Sequence, residues 1–373
     1  MSIQLLRNTR VFASTKTSGF TADDTWEILV GDDLQFSQDA SSTDISPNEA
    51  GPVPVRGSKR FTDAVNPASW SFSTYILPAI KNAKVVSPDS ILWHSLASGS
   101  VYNPTIKEKG VYQSALNQIV SFKDSAYHEL NMFNLFLLVD SVWYQLKNCQ
   151  VGQAEISIDI ADIAKTAWSG NATDLTPLEA APVGLLALGV SDADFLSYQA
   201  LYIKNKLTIM NLKDNTSSTV YDVAITGGTI TINNNITYLT PTTLSRVDRA
   251  IGSFTGALEV SGNITCYVNT KANGSNALWK ALQAATASIN SFDMVLALGG
   301  KYADKQVPGL VVRMPKTMLE MPAVSLEDII SLTINFKGMG TDMDTGDEVR
   351  LCFGDKLDAT RIDEFVTTGE ITV

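Results

Sequence analysis

Residues 69–76, Ser-Trp-Ser-Phe-Ser-Thr-Tyr-Ile, decide the fold class. Trp70, Phe72, Thr74 and Ile76 fall on one face, and Ser71, Ser73 and Tyr75 on the other. That period of two belongs to a half-buried strand. The same alternation recurs at Glu155–Ile160, where Ile156, Ile158 and Ile160 oppose Glu155, Ser157 and Asp159. Further strands are expected at Trp26–Val30, Leu34–Ser37, Leu207–Met210, Val220–Ile225, Thr229–Ile232, Ile236–Leu239 and Leu326–Phe336. Gly227-Gly228 and Asn233-Asn234-Asn235 read as tight turns between them.

Helices are few and short. Ser90–Ala97 and Asn276–Ala287 each carry leucine and tryptophan at close spacing behind a capping-type residue. Lys109–Phe122 and Asp192–Ala200 are two further candidates. The expected fold is mainly β with a few short helices, which need a sheet to pack on.

The two halves echo each other. SILWHSLAS at 90–98 matches NALWKALQA at 276–284, aligning Leu92, Trp93 and Leu96 with Leu278, Trp279 and Leu282. RFTDA at 60–64 matches SFTGA at 253–257, and the strand ending at Ile76 matches one ending at Val268. ADIAKTAWSGNATDL at 161–175 resembles IISLTINFKGMGTDM at 329–343, pairing Gly170 with Gly338 and Asp174 with Asp342. This order divides the chain into a first unit at 1–176 with an insertion near 99–150, a linker or decoration at 177–206, a second unit at 207–354, and an extension at 355–373. A duplicated β unit lets one chain occupy two equivalent places in a ring. Its edge strands can then pair with neighbouring copies.

Composition narrows the function. The 373 residues include 39 acidic and 28 basic ones, a formal charge of -11. That balance opposes tight DNA binding, which needs a basic face, and suits a surface past which DNA slides. No apolar run reaches the roughly 18 residues of a membrane-spanning helix. The N-terminus lacks a secretory core, and Cys149, Cys266 and Cys352 form no CxxC pair, as expected of a chain made in a cytoplasm. The Asn-x-Thr patterns at Asn171 and Asn263 then read as polar β-residues.

Catalytic chemistry is not evident. There are two histidines: His94 lies where the other repeat has Lys280, which suggests a solvent-facing position, and His128 has no second histidine near it. The acidic run 342–348 fails the calcium-loop pattern, because Asp347 stands where glycine is needed and Phe353 where glutamate is needed. No phosphate-binding loop and no GxSxG nucleophile motif occur. No catalytic, cofactor-binding or metal residue is assigned, no cofactor is expected, and the chain is not expected to be an enzyme.

The segments 328–342, 253–282 and 32–76 together resemble phage tail tube proteins. The resemblance implies stacked rings of sixfold or pseudo-sixfold symmetry whose inner wall is one large β-barrel with the helix outside. For a duplicated chain it implies a trimer mimicking a hexamer, with a true hexamer as the alternative. The wall strands would lie near 28–38, 69–76, 229–239 and 258–268. Gln35, Ser37, Ser71, Ser73, Asn263, Thr265 and Tyr267 would be candidates for the lumen. The loop from Asp39 to Pro67 would grip the next ring. The implied partners are other copies, sheath, tape-measure, baseplate and tail-terminator proteins, and DNA passing without specific contact. The implied location is the virion tail, without membrane insertion. The competing readings are a baseplate or tail-completion ring protein and a surface carbohydrate-binding module. The latter would expose its tryptophans in one cleft, whereas Trp93 and Trp279 read as core packing.

Overall fold

A computed structural model describes residues 8–45, 58–124, 128–191, 194, 197–198, 201–239, 250, 252–284, 290–299, 306–326, 329–343 and 345–368. The chain opens with β1 (Thr9–Ser14), β2 (Thr25–Ile28) and β3 (Gln35–Ser37). A ribbon of β4 (Ala40–Ile45) and β5 (Lys59–Val65) precedes β6 (Ala68–Tyr75). A small hairpin, β7 (Ala79–Lys81) and β8 (Lys84–Val86), leads into helix α1 (Ser90–Ala97). A second hairpin, β9 (Gly110–Gln113) and β10 (Gln118–Ser121), follows. Then come β11 (Phe133–Val139), the long β12 (Val142–Asp159), β13 (Lys165–Ala172) and β14 (Asp174–Leu178).

The second half begins with β15 (Ile209–Asp214), β16 (Val220–Tyr221) and β17 (Ile225–Asn233). A short ribbon of β18 (Thr237–Leu239) and β19 (Gly252–Phe254) precedes β20 (Glu259–Tyr267) and helix α2 (Ser275–Ala284). The chain continues through β21 (Phe292–Leu298), β22 (Val307–Leu319), β23 (Ala323–Ser325), β24 (Ser331–Met339) and β25 (Arg350–Leu357), and then helix α3 (Ala359–Thr368).

All named pairings are antiparallel, and they run in the same succession in both halves. β1 pairs with β2 and β11, β11 with β12, and β12 with β14. β15 pairs with β16 and β21, β21 with β22, and β22 with β25. Both central hairpins break register at the same place. Phe133 faces Cys149 and Leu135 faces Leu146; Phe292 faces Thr317 and Met294 faces Met314. Such an irregularity re-aims a strand. β12 accordingly leaves β11 and β14 to pair along its second part with β13, and β22 leaves β21 and β25 to pair with β24.

A second run of strands joins the halves without interruption, in the order β3, β6, β13, β12, β17, β20, β24, β23. Its apolar face carries Trp70, Phe72, Ile156, Trp168, Ile230, Ile264 and Ile334, all buried. α1 packs into this core with all eight residues buried. The Trp93 indole meets Trp168 edge-on, with ring centroids 4.6 Å apart. A buried polar chain fixes the helix start: Trp168 Nε1 donates to Thr74 Oγ1, and Thr74 Oγ1 donates to Asp89 Oδ2, each at 2.9 Å. Burial raises the Asp89 carboxyl above its ordinary range, and Ser87 and Thr74 hydroxyls oppose that rise.

Several local expectations are corrected. Lys109–Phe122 is the β9–β10 hairpin, not a helix. Ser114 and Asn117 close the turn by main-chain and side-chain hydrogen bonds, and β10 finds a partner in β25. Val111, Ile119 and Val120 are β-branched residues suited to that sheet. Gly227-Gly228 is not a turn but part of β17, paired on both sides. Leu326–Phe336 is not one strand: β24 starts at Ser331, and the chain reverses between it and β23. Within Asp39–Pro67 the described residues, 39–45 and 58–67, are mostly the β4–β5 ribbon rather than loop, and 46–57 lie outside the described residues. The expected helix at Asp192–Ala200 falls mostly outside them too.

Candidate functional site

The other face of the continuous sheet is open and polar. Register rows cross it from one half to the other. One runs Gln35, Ser71, Ser169, Gln153, Asn233, Glu259. The next runs Ser73, Ala167, Glu155, Thr231, Ser261, Lys337. A third runs Tyr75, Lys165, Ser157, Thr229, Asn263, Asn335. Since side chains alternate along each strand, the burial of the apolar set commits this set to the opposite side.

The seven lumen candidates meet here. Gln35 and Ser37 on β3, Ser71 and Ser73 on β6, and Asn263, Thr265 and Tyr267 on β20 share this one face. Sequence reasoning missed the contributions of β12, β13 and β24, among them Ser157, Ser169, Thr333 and Asn335. Glu155–Ile160 carried the signal, because its alternation was plain, but nothing in it said which sheet it joined.

Hydroxyl and amide groups dominate the face and bond to one another. Ser37 and Ser69 hydroxyls are 3.0 Å apart, Asn263 Nδ2 donates to Thr229 Oγ1 at 3.0 Å, and the Thr265 and Thr333 hydroxyls lie 3.4 Å apart. The charges in those three rows are Glu155, Glu259, Lys165 and Lys337, and two of them neutralise each other: Lys337 Nζ is 3.0 Å from Glu259 Oε1. Near the first row the surface dips into a concavity of about 620 Å³, lined by Ser37, Ser71, Gln153, Ser169 and Asn171. Such a face offers many weak hydrogen bonds and no concentration of positive charge.

The histidine reading is corrected in one respect. His94 is fully buried, not solvent-facing. Its Nε2 lies 2.8 Å from the Ser100 carbonyl oxygen, its ring packs edge-on against Tyr102, and the backbone of Gly110 closes over it. Burial holds its pKa below the ordinary imidazole value. Lys280, at the matching place on α2, is exposed. Trp279 is likewise half-buried where Trp93 is enclosed.

Among the described residues no group of three or more His, Cys, Asp and Glu could hold a metal ion. Asp347 instead accepts from Thr341 N at 2.8 Å and Thr341 Oγ1 at 2.6 Å, which organises the turn between β24 and β25. All three cysteines are free and buried. No described helix is long and apolar enough to cross a membrane.

A profile of the phage tail tube protein family matches residues 121–338, from β10 to β24. The chain is also 46% identical over 372 residues to the tail tube protein pb6 of Escherichia phage T5, covering 99% of this chain and 80% of that one. The chain belongs to the phage tail tube protein family. As a tail tube protein it is a structural component of a phage virion. The matched residues include β12, β13, β17 and β20, the strands at which the two halves meet, whereas β3 and β6, which carry the rest of the polar face, precede the match.

Proposed function

We propose that the chain is a duplicated tube unit that closes head to tail into a ring of three copies, its polar face lining a channel through which DNA passes. The carrying observation is the junction between β12 and β17. There the last wall strand of one half joins the first wall strand of the other, from Gln153 opposite Asn233 to Asp159 opposite Gly227. β3 and β23 end the same sheet, and each has one named partner, β6 or β24. Pairing the β23 edge of one copy with the β3 edge of the next repeats the internal junction and removes both open edges.

Duplication is supported by the matched pairing order, the matched register breaks and the paired helices. The proposed units remain 1–176 and 207–354, with 177–206 between them and 355–373 beyond. The ribbons β4–β5 and β18–β19 are equivalent arms that reach the adjacent ring. A lone two-stranded ribbon is marginal in water, and both strands of β4–β5 are largely exposed, so a neighbouring ring is the natural support. The wall needs no basic groove, because DNA slides best past groups that do not hold phosphate. Tape-measure, sheath, baseplate and terminator proteins would meet the tube on its inside, outside and two ends.

Electron microscopy of the purified protein, with native mass measurement of the smallest closed species, tests this reading. Hollow open-ended tubes and a ring mass of three chains are expected. A persistent monomer would refute it, and a ring of six chains would refute the duplicated arrangement.

A further inference from the structure

Within the chain, the helix of the first half is sealed by the second half. Trp93 on α1 touches Phe353 on β25, with ring centroids 5.7 Å apart, and β10 pairs with β25 from Gln118 opposite Phe353 to Ser121 opposite Arg350. On β25 the inward residues Leu351 and Phe353 are buried, as is Val349 just before it.

The matching surfaces at the other ends of the two halves are only partly covered. α2 buries Ser275, Leu278 and Leu282, leaving Trp279 half-buried and Lys280 exposed. β14 holds on β12 the place that β25 holds on β22. Its inward residues are nevertheless less enclosed: Leu175 is half-buried against the core and Pro177 exposed, followed by exposed Glu179. An unfilled helix side and an unfilled strand face thus stand where the internal contact has its two members.

We infer that Trp279 of one copy packs on β14 of the next copy, reproducing between chains the contact that Trp93 makes with β25 inside one chain. The inference rests on the ring reading above and specifies its outer contact. The direction agrees: first half onto second half within a chain, then second half onto the first half of the following copy. That is also the order in which β12 joins β17 and β23 would join β3. Lys280 and Glu179 flank the two surfaces with opposite charge. Apolar area around an aromatic anchor, rimmed by charges, is the composition of a specific protein contact.

Two variants test it on the full chain. In the first, Trp279→Asp should leave the monomer folded, because the side chain is already partly in water, and should abolish tube formation. In the second, Lys280→Cys combined with Glu179→Cys should be joined by a short bis-maleimide in assembled tubes, giving chains linked in twos and threes on a denaturing gel. The native cysteines are buried and do not compete. Each single-cysteine variant should give no linked species. If the parent protein forms no tubes, the ring reading fails and this contact with it. If tubes form but the double variant stays unlinked, or Trp279→Asp assembles like the parent, the ring reading stands and this contact is wrong.

Discussion

The Trp70 indole occupies the space that a side chain on Gly170 would need: a Cβ there would stand 2.5 Å from the Trp70 ring and would also strike the Gln150 carbonyl oxygen. The two residues face each other across β6 and β13. In the second half the roles are exchanged. Gly262 on β20 faces Phe336 on β24, and its Cβ would stand 2.6 Å from the ring. Both parts of the sheet therefore use one aromatic side chain to fill one cross-strand position, although the aromatic sits on the other strand.

Gly170→Val is accordingly expected to destabilise the chain by about 3 kcal/mol or more, since neither a backbone oxygen nor an enclosed indole can yield cheaply. Urea unfolding monitored by circular dichroism reads this as a lowered midpoint. A midpoint unchanged from the parent would show that the pair is not tightly packed.

Trp93→Ala removes the ring that meets both Trp168 and Phe353. The expected loss is about 3–5 kcal/mol, the range for emptying a buried aromatic site. Trp279→Ala, measured on the unassembled chain in the same experiment, is expected to cost less than half as much. Equal losses would argue that the two helices are enclosed alike.

Acid sensitivity should trace in part to His94. Burial keeps its folded pKa below the unfolded value, so the unfolded chain takes up a proton first as pH falls. The stability it allows is complete above about pH 6.5 and declines from there toward the folded pKa. The facing groups are the Ser100 carbonyl, the Val111 amide, Tyr102 and the Asp124 carboxylate; the Ser100 hydrogen bond and then the Asp124 charge oppose the shift only partly. Thermal melts at pH 7.5 and pH 5 should show a smaller drop for His94→Gln than for the parent. An equal drop would remove His94 from the explanation.

Placing positive charge on the polar face should convert it from sliding to binding. Ser169→Arg with Thr231→Arg puts two guanidinium groups on neighbouring register rows. Tubes of this variant are expected to retain DNA at low salt and release it as salt rises, the mark of phosphate contacts. Tubes that bind no more DNA than the parent would place these residues away from the channel.

Much of this architecture is legible in the sequence where one face is apolar and the register uninterrupted. Trp70, Phe72 and Thr74 announce β6, and the Leu-Trp pairs announce α1 and α2 but not α3. Legibility fails where spacing is ambiguous. Ala115, Leu116, Ile119 and Val120 fit a helical stripe as well as a hairpin, and only the distant β25 settles the choice. Gly227-Gly228 imitates a turn because glycine is common there, whereas here it lies between two flanking strands. The Gly170 and Gly338 alignment also misses the register: Gly170 faces Trp70, but Gly338 faces Val260, two places from the Gly262–Phe336 pair. The composition of the channel candidate was legible only in part, since no local pattern says that β12 and β17 are neighbours.

A reconstruction of the assembled tube at side-chain resolution tests the central claim most directly. The account predicts three chains per ring and an inner wall bearing Ser71, Ser169, Thr231 and Asn263, with β23 of each copy beside β3 of the next. A tube whose inner wall is built from other strands, or in which these residues face outward, would contradict it.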